Sequence, residues 1–131
     1  MHVNLNSYKK LYLDTASAKL SDMTALFEKI AENQDPQAIA DFHRLSHSIK
    51  SQSLVMGYTQ LGLAGKILEA LFRAVQKDQI KLDTNIFEII RKTINAMSQS
   101  LIRIQSQQGE LNLSHEIQSL EEHTKIRLLD P

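Results

Sequence analysis

Four segments of the chain carry apolar residues at alternating intervals of three and four, and this spacing constrains the fold more than any other feature. The first segment shows the spacing in the series Leu13, Ala16, Leu20, Met23, Phe27 and Ile30. Because an α-helix repeats every 3.6 residues, each series forms one apolar stripe that must be buried against a partner. The spacing therefore predicts amphipathic helices that pack side by side.

Breaks between the stripes indicate where each helix begins and ends. Asp35 suits an N-cap, Pro36 suits the first helical position, and Gly57 suits the position after the last turn. The predicted helices cover residues 7–31, 36–56, 59–77 and 84–107. Short links between them favour an antiparallel four-helix bundle. An intermolecular coiled coil is the alternative, but Pro36, Gly57 and the KDQIKLD stretch argue against one long rod.

The last part of the chain does not continue the fourth stripe. We predict that residues 1–108 form the bundle and residues 109–131 form a C-terminal extension, either a short fifth helix or a linker. The extension carries apolar residues at partly helical spacing, namely Leu111, Leu113, Ile117, Leu120 and Leu128. The expected fold class is therefore all-α.

Composition limits the class of protein. A chain of 131 residues with 42% hydrophobic residues, four glycines and two prolines suits one helical domain. Zero formal charge gives no reason to expect nucleic acid or an anionic membrane as partner, and the lack of cysteine fits a reducing compartment. No apolar run approaches the ~20 residues of a membrane span, and the N-terminus lacks a signal-peptide core. We expect a monomeric cytoplasmic domain without a membrane segment.

His47 lies in the stretch HRLSHSIKSQSLVMG (43–57), on the side of the second helix that faces away from its stripe. Leu45, Ile49 and Met56 fall at about 160° to 200° around the axis from His47. Further residues are predicted on or beside the His47 strip: Ala40, His43, Arg44, Lys50, Ser51, Leu54 and Val55. Exposed apolar side chains around a histidine indicate a docking surface.

The third helix carries a carboxylate that can meet this histidine. Glu69 is predicted at the polar border of its stripe, and Gly62 and Gly65 share its strip. Each interior glycine costs about 1 kcal/mol relative to alanine, which close approach of the second helix would explain. A carboxylate that accepts the Nδ1 proton leaves the Nε2 lone pair facing solvent. With an ammonium nearby, that Nε2 suits a nucleophile that accepts a phosphoryl group.

These residues together resemble a histidine-containing phosphotransfer (HPt) domain, most like the one at the N-terminus of the chemotaxis histidine kinase CheA. The HPt motif is H-x-x-K-G, with a glycine ten residues and a glutamate twenty-two residues after the histidine, and His47, Lys50, Gly57 and Glu69 stand at those places. The resemblance covers about residues 8–101. It implies that His47 accepts the phosphoryl group, Lys50 stabilises it and Glu69 orients the ring, while Gly57, Gly62 and Gly65 are structural.

The resemblance also implies partners. His47 would take its phosphoryl group from a histidine kinase ATP site and donate it to the aspartate of a response-regulator receiver domain. The docking face would comprise Ala40, His43, Arg44, Ser51, Leu54 and Val55. No cofactor or metal is implied, and the absence of an ATP-binding motif indicates that the chain is no enzyme by itself, whether separate or part of a longer kinase.

Two residues depart from the family pattern, and other interpretations stay open. Ser51 replaces the glycine that follows the lysine in the motif, and His43 replaces a phenylalanine usual in CheA-type sequences. A bundle that docks kinases or receivers without transfer is the alternative function. His43 and His47, four residues apart, also have the spacing of two metal ligands, although no third ligand is visible in the sequence.

Overall fold

The computed structural model describes residues 5–128, which form five α-helices. They are α1 (Leu5–Asn33), α2 (Pro36–Val55), α3 (Thr59–Gln76), α4 (Thr84–Gln105) and α5 (Ser114–Thr124). The first four form the predicted bundle, and the C-terminal region contains the short fifth helix, so the all-α fold class is confirmed. Parts of the predictions for the N-terminus and the C-terminal extension concern residues 1–4 and 129–131, which lie outside the described residues.

The helix ends follow from local chemistry. The Asp35 carboxylate accepts a hydrogen bond from the Ala38 N–H at 2.9 Å, with Pro36 as the first residue of α2. Asp83 caps α4 in the same way through the Ile86 N–H. After α2, Gly57 adopts a φ of +85°, a left-handed conformation that favours glycine over other residues. These ends keep the links short, so successive helices run antiparallel.

The core lies between the predicted stripes of α1 to α4. Phe27, Phe42 and Phe72 are fully buried in it, and the rings of Phe42 and Phe72 lie 4.2 Å apart between centroids. At one end, the Tyr12 and Ser53 hydroxyls form a buried hydrogen bond of 2.7 Å that joins α1 to α2. Burial of the apolar stripes therefore fixes how each helix is rotated about its axis, including α2, which carries His47.

The segment after α4 is attached to the beginning of α3. The Glu110 carboxylate accepts hydrogen bonds from the Gln60 and Leu61 N–H groups at 3.2 and 3.1 Å. The Gln60 side chain in turn accepts the Leu113 N–H at 2.8 Å. Because α3 has no side-chain cap of its own, Glu110 satisfies N–H groups that its first turn leaves without helical partners.

Helix α5 packs against α3 and α4 and adds Ile117 and Leu120 to the core, and Leu113, just before the helix, is buried with them. The predicted division into a bundle of residues 1–108 and an extension of residues 109–131 stays a prediction. Within residues 5–128, none of the helices is both long and apolar enough to cross a membrane.

Removing the Glu110 cap should destabilise the protein. We expect Glu110→Ala to lower the free energy of unfolding by about 1–2 kcal/mol, the usual contribution of a capping side chain. Urea unfolding followed by circular dichroism measures the change. Glu122→Ala, on the exposed face of α5, is the control and should stay within about 0.5 kcal/mol of the original protein. Equal stability of the two variants would show that the carboxylate does not cap α3.

Candidate functional site

His47 lies near the middle of α2 with its side chain 56% exposed. Ile49, two residues after His47, is buried, and Phe42, five residues before it, is buried as well. The rotation of α2 that buries these apolar residues turns His47 outward. The predicted exposure of His47 on α2 agrees with this structure.

Glu69 of α3 contacts the His47 ring at its Nδ1 atom. One carboxylate oxygen, Oε2, is within hydrogen-bond distance of His47 Nδ1, and the other, Oε1, accepts a 2.7 Å hydrogen bond from the Lys50 ammonium. The expectation that Glu69 faces His47 from the third helix agrees with this contact, and α2 covers the carboxylate and leaves the residue 7% exposed. A buried carboxylate is thus held by one donor on each oxygen.

The protonation of the pair follows from these contacts. Burial raises the pKa of Glu69, but the hydrogen bonds and charges of Lys50 and His47 outweigh burial and leave the pKa below its ordinary 4.5. The carboxylate is therefore ionised at neutral pH and can only accept hydrogen bonds. When the His47 ring is neutral, its one proton is therefore on Nδ1, which faces the carboxylate, and Nε2 keeps its lone pair. This is the state that a nucleophilic histidine requires.

Lys50 differs from its predicted position. We expected it on the exposed strip, but its side chain is only 22% exposed and its ammonium is bonded to Glu69. The reason is the short distance between α2 and α3 at this point, which brings the lysine over the carboxylate. Lys50 therefore holds Glu69 ionised and in place beneath His47.

Two glycines of α3 permit this close approach. A Cβ atom on Gly65 would lie 2.9 Å from the backbone nitrogen of Lys50, closer than real Cβ contacts. A Cβ on Gly62 would lie 2.6 Å from Cγ of Leu54, which is a flexible side chain. The expectation that Gly62 and Gly65 serve close helix contact agrees with these distances.

The predicted docking residues form a rim around His47. Val55 is 86% exposed and Leu54 is 45% exposed, while Ala40 and Ser51 are partly exposed. Arg44 lies at the exposed edge and donates to Asp41 at 2.9 Å. This rim gives the site an apolar border on its Val55 side.

Sequence reasoning missed the contribution of α1 to this rim. Tyr8 and Leu11 are 56% and 61% exposed, and they line a shallow groove whose other wall contains Ser51 and Val55. Their signal was present in the sequence, because both are apolar yet lie outside the series that begins at Leu13. Apolar residues off the stripe of an amphipathic helix mark a second contact face.

His43 is partly exposed, like Ala40 and Ser51. Its Nε2 atom is enclosed and has no hydrogen-bond partner among the described residues. Burial and the positive charge of Arg73 lower the pKa of His43 below its ordinary 6.5, although Glu69 opposes this. Among residues 5–128 no group of three His, Cys, Asp or Glu side chains is arranged to hold a metal ion.

Comparison with known proteins identifies the family. The Hpt domain family matches residues 7–123, so the chain belongs to the Hpt domain family. Chemotaxis protein CheA of Salmonella typhimurium is 24% identical over 102 residues, which cover 77% of this chain and 15% of that protein. Chemotaxis protein CheA of Bacillus subtilis is 26% identical over 106 residues, covering 76% of this chain and 16% of that protein. The chain thus spans about one sixth of the length of these relatives.

A solved structure shows the same fold. The phosphorylated P1 domain of CheA3 from R. sphaeroides, determined in complex with CheY6, superposes with a TM-score of 0.79. The two chains are 18% identical, and the match covers 89% of this chain and 94% of the other.

The lowered pKa values of His43 and Glu69 predict how stability depends on pH. His43 has a lowered pKa in the folded protein, so the unfolded chain binds a proton first and stability should fall below pH 6.5. Glu69 also has a lowered pKa, so its contribution is present above pH 4.5 and is lost as pH falls through its folded value. Urea midpoints measured from pH 8 to about pH 3 should therefore decrease in two stages.

Variants distinguish the two stages. His43→Phe should remove the decrease just below pH 6.5 and keep the decrease below pH 4.5. His115→Gln, at an exposed position of α5, should keep both. An unchanged first stage in His43→Phe would show that another group causes it.

Proposed function

We propose that the protein is a phosphocarrier in a chemotaxis-type two-component phosphorelay. His47 takes a phosphoryl group from ATP bound to a histidine kinase catalytic domain and donates it to the aspartate of a response-regulator receiver domain. The observation that carries this proposal is the exposed His47 ring, held through Nδ1 by ionised Glu69, in a member of the Hpt family. The structural relative described as phosphorylated and in complex with CheY6 supports both the modification and the receiver partner.

The first step is an attack by His47 on the kinase's ATP. The Nε2 lone pair forms a bond to the γ-phosphorus, the bond from phosphorus to the bridging oxygen breaks, and ADP leaves. The ring gains positive character as Nε2 uses its lone pair, and Glu69 stabilises it through the Nδ1 proton. In the second step a receiver carboxylate oxygen attacks the phosphorus, the N–P bond breaks, and the electron pair returns to Nε2.

Lys50 serves this chemistry in two ways. It keeps Glu69 ionised through the 2.7 Å hydrogen bond, and its ammonium adds positive charge beside the phosphoryl group on His47. Ser51 replaces a glycine of the motif and adds a hydroxyl that can donate to phosphate oxygens. The chain supplies no ATP site in this scheme and needs no cofactor or metal, so it is a substrate and donor rather than a kinase.

The docking face lies on one side of His47. It comprises the six residues expected from the sequence, extended by two from α1: Ala40, His43, Arg44, Ser51, Leu54, Val55, Tyr8 and Leu11. Exposed apolar side chains beside a reactive group favour a protein partner that covers them during transfer. We propose that the chain acts as a monomer in the cytoplasm, where receivers and kinase domains reach this face.

A charge placed on this face should impair transfer. We expect Val55→Asp to slow passage of label from phosphorylated His47 to a receiver domain on the order of tenfold, because it places a charge within an apolar contact. The matched control is Ile102→Asp, since Ile102 is an exposed apolar residue of α4, 54% exposed. The protein is first labelled by a CheA-type catalytic domain with labelled ATP, and loss of label is followed after adding receiver.

The outcomes separate transfer from docking. Slow transfer by Val55→Asp with normal transfer by Ile102→Asp supports the proposal. Equal rates for both variants would place the receiver elsewhere. Receiver binding without any transfer from the original protein would show a docking module instead of a phosphocarrier.

A further inference from the structure

His43 lies one helical turn before His47, so a charged group on His47 would affect the protonation of the His43 ring. Its Nε2 is enclosed without a partner, so a protonated ring would bury an unpaired N–H group. Within the described part of the chain, four groups act on it electrostatically: Arg73 and Glu69 from α3, and His47 and Lys50 from α2. Three of these disfavour a proton on His43 and only Glu69 favours it, so the ring is neutral at neutral pH.

Phosphorylation of His47 would reverse this balance. A phosphoryl group adds about 1.5 to 2 negative charges at neutral pH. Side chains four residues apart on a helix are neighbours, with Cβ atoms about 5–6 Å apart. The two cations nearest to His47 in sequence offset only part of this charge, because Lys50 is also bonded to Glu69 and Arg44 to Asp41. The new negative charge therefore acts on a titratable imidazole one turn away.

We propose that His43 binds a proton when His47 becomes phosphorylated, so that the phosphorylated state is coupled to pH. The inference rests on the proposed function, because it requires phosphate on His47. One proton is taken from solvent as the N–P bond forms, and it is released when the phosphoryl group leaves for the receiver. A phenylalanine at this position, usual in CheA-type sequences, has no such proton.

The coupling between phosphorylation of His47 and pH has a definite direction. The phosphorylated protein binds more protons at His43 than the free protein, so lowering the pH favours the phosphorylated state. The effect is confined to the interval between the pKa of His43 in the free protein, which lies below 6.5, and its higher pKa in the phosphorylated protein. Transfer to a receiver should accordingly be more complete at the upper end of that interval.

Nuclear magnetic resonance of the imidazole rings tests the proposal. The 131-residue protein is labelled with ¹⁵N-histidine, treated with phosphoramidate as a small phosphoryl donor, and titrated from pH 5 to 8.5. We expect the pKa of His43 to rise by about 0.5 to 1.5 pH units on phosphorylation, as two charges at this range would produce in water. His43→Phe assigns the resonance, and exposed His115 is the internal reference that should not shift.

Each outcome has one meaning. A shift confined to His43, absent from His47→Gln treated in the same way, supports the inference. Phosphorylated His47 with an unchanged His43 titration would overturn the inference and leave the proposed function intact. Absence of phosphate on His47 under all donors would contradict the proposed function itself.

Discussion

Gly65→Ala should destabilise the protein by about 1–3 kcal/mol, the usual cost of forcing a methyl group into a packed contact. Alanine ordinarily stabilises a helix by about 1 kcal/mol relative to glycine, so a net loss would require a steric cause. The cause is the 2.9 Å separation between the added Cβ and the backbone nitrogen of Lys50, which α2 can relieve only by moving away. Urea unfolding of the purified variant measures the loss.

Gly62→Ala is the matched control on the same face of α3. The added methyl there meets the side chain of Leu54, which is 45% exposed and can turn outward. We expect its free energy of unfolding to be within about 1 kcal/mol of the original, with the helix propensity of alanine offsetting the rearrangement. If both variants are equally stable, α2 and α3 are not in close backbone contact at Lys50.

Displacement of α2 away from α3 should also slow the phosphorylation of His47. Because Glu69 is on α3 and His47 is on α2, a helix separation lengthens the hydrogen bond to Nδ1 and loosens the ring. Gly65→Ala should therefore slow phosphorylation of His47 on the order of tenfold even where it remains folded, since misplacement of a reacting group is costly. Gly62→Ala should be phosphorylated at nearly the original rate.

The sequence predicted the bundle well because its signals are local. The series from Leu13 to Ile30 sets the buried face of α1, and Asp35, Pro36 and Gly57 set the limits of α2 within one or two residues. The outward direction of His47 follows from the same periodicity, since it lies opposite Ile49. These predictions depend only on residues close in sequence.

Helical periodicity could not predict contacts between segments that are far apart in the sequence. The burial of Glu69 and the pairing of Lys50 with it depend on how near α2 lies to α3, which no single helix determines. The bond from Gln60 to Glu110 joins residues fifty positions apart. The groove containing Tyr8 likewise requires the relative rotation of α1 and α2.

The central claim is that His47 alone carries the phosphoryl group. His43 is the nearest alternative acceptor, but its enclosed Nε2 cannot reach a phosphoryl donor without rearrangement, while His47 is 56% exposed and bonded to Glu69. Loss of the acceptor removes the reaction rather than slowing it. His47→Gln should therefore abolish labelling, whereas His43→Gln should still be labelled at His47.

The most direct measurement uses the purified protein, a CheA-type catalytic domain and ATP labelled at the γ-phosphate. Label on the original protein and on His43→Gln should be acid-labile, alkali-stable and transferable to a receiver aspartate. His47→Gln should carry none, with its helical content by circular dichroism unchanged. Acid-labile label on folded His47→Gln would contradict the assignment of His47 as the acceptor.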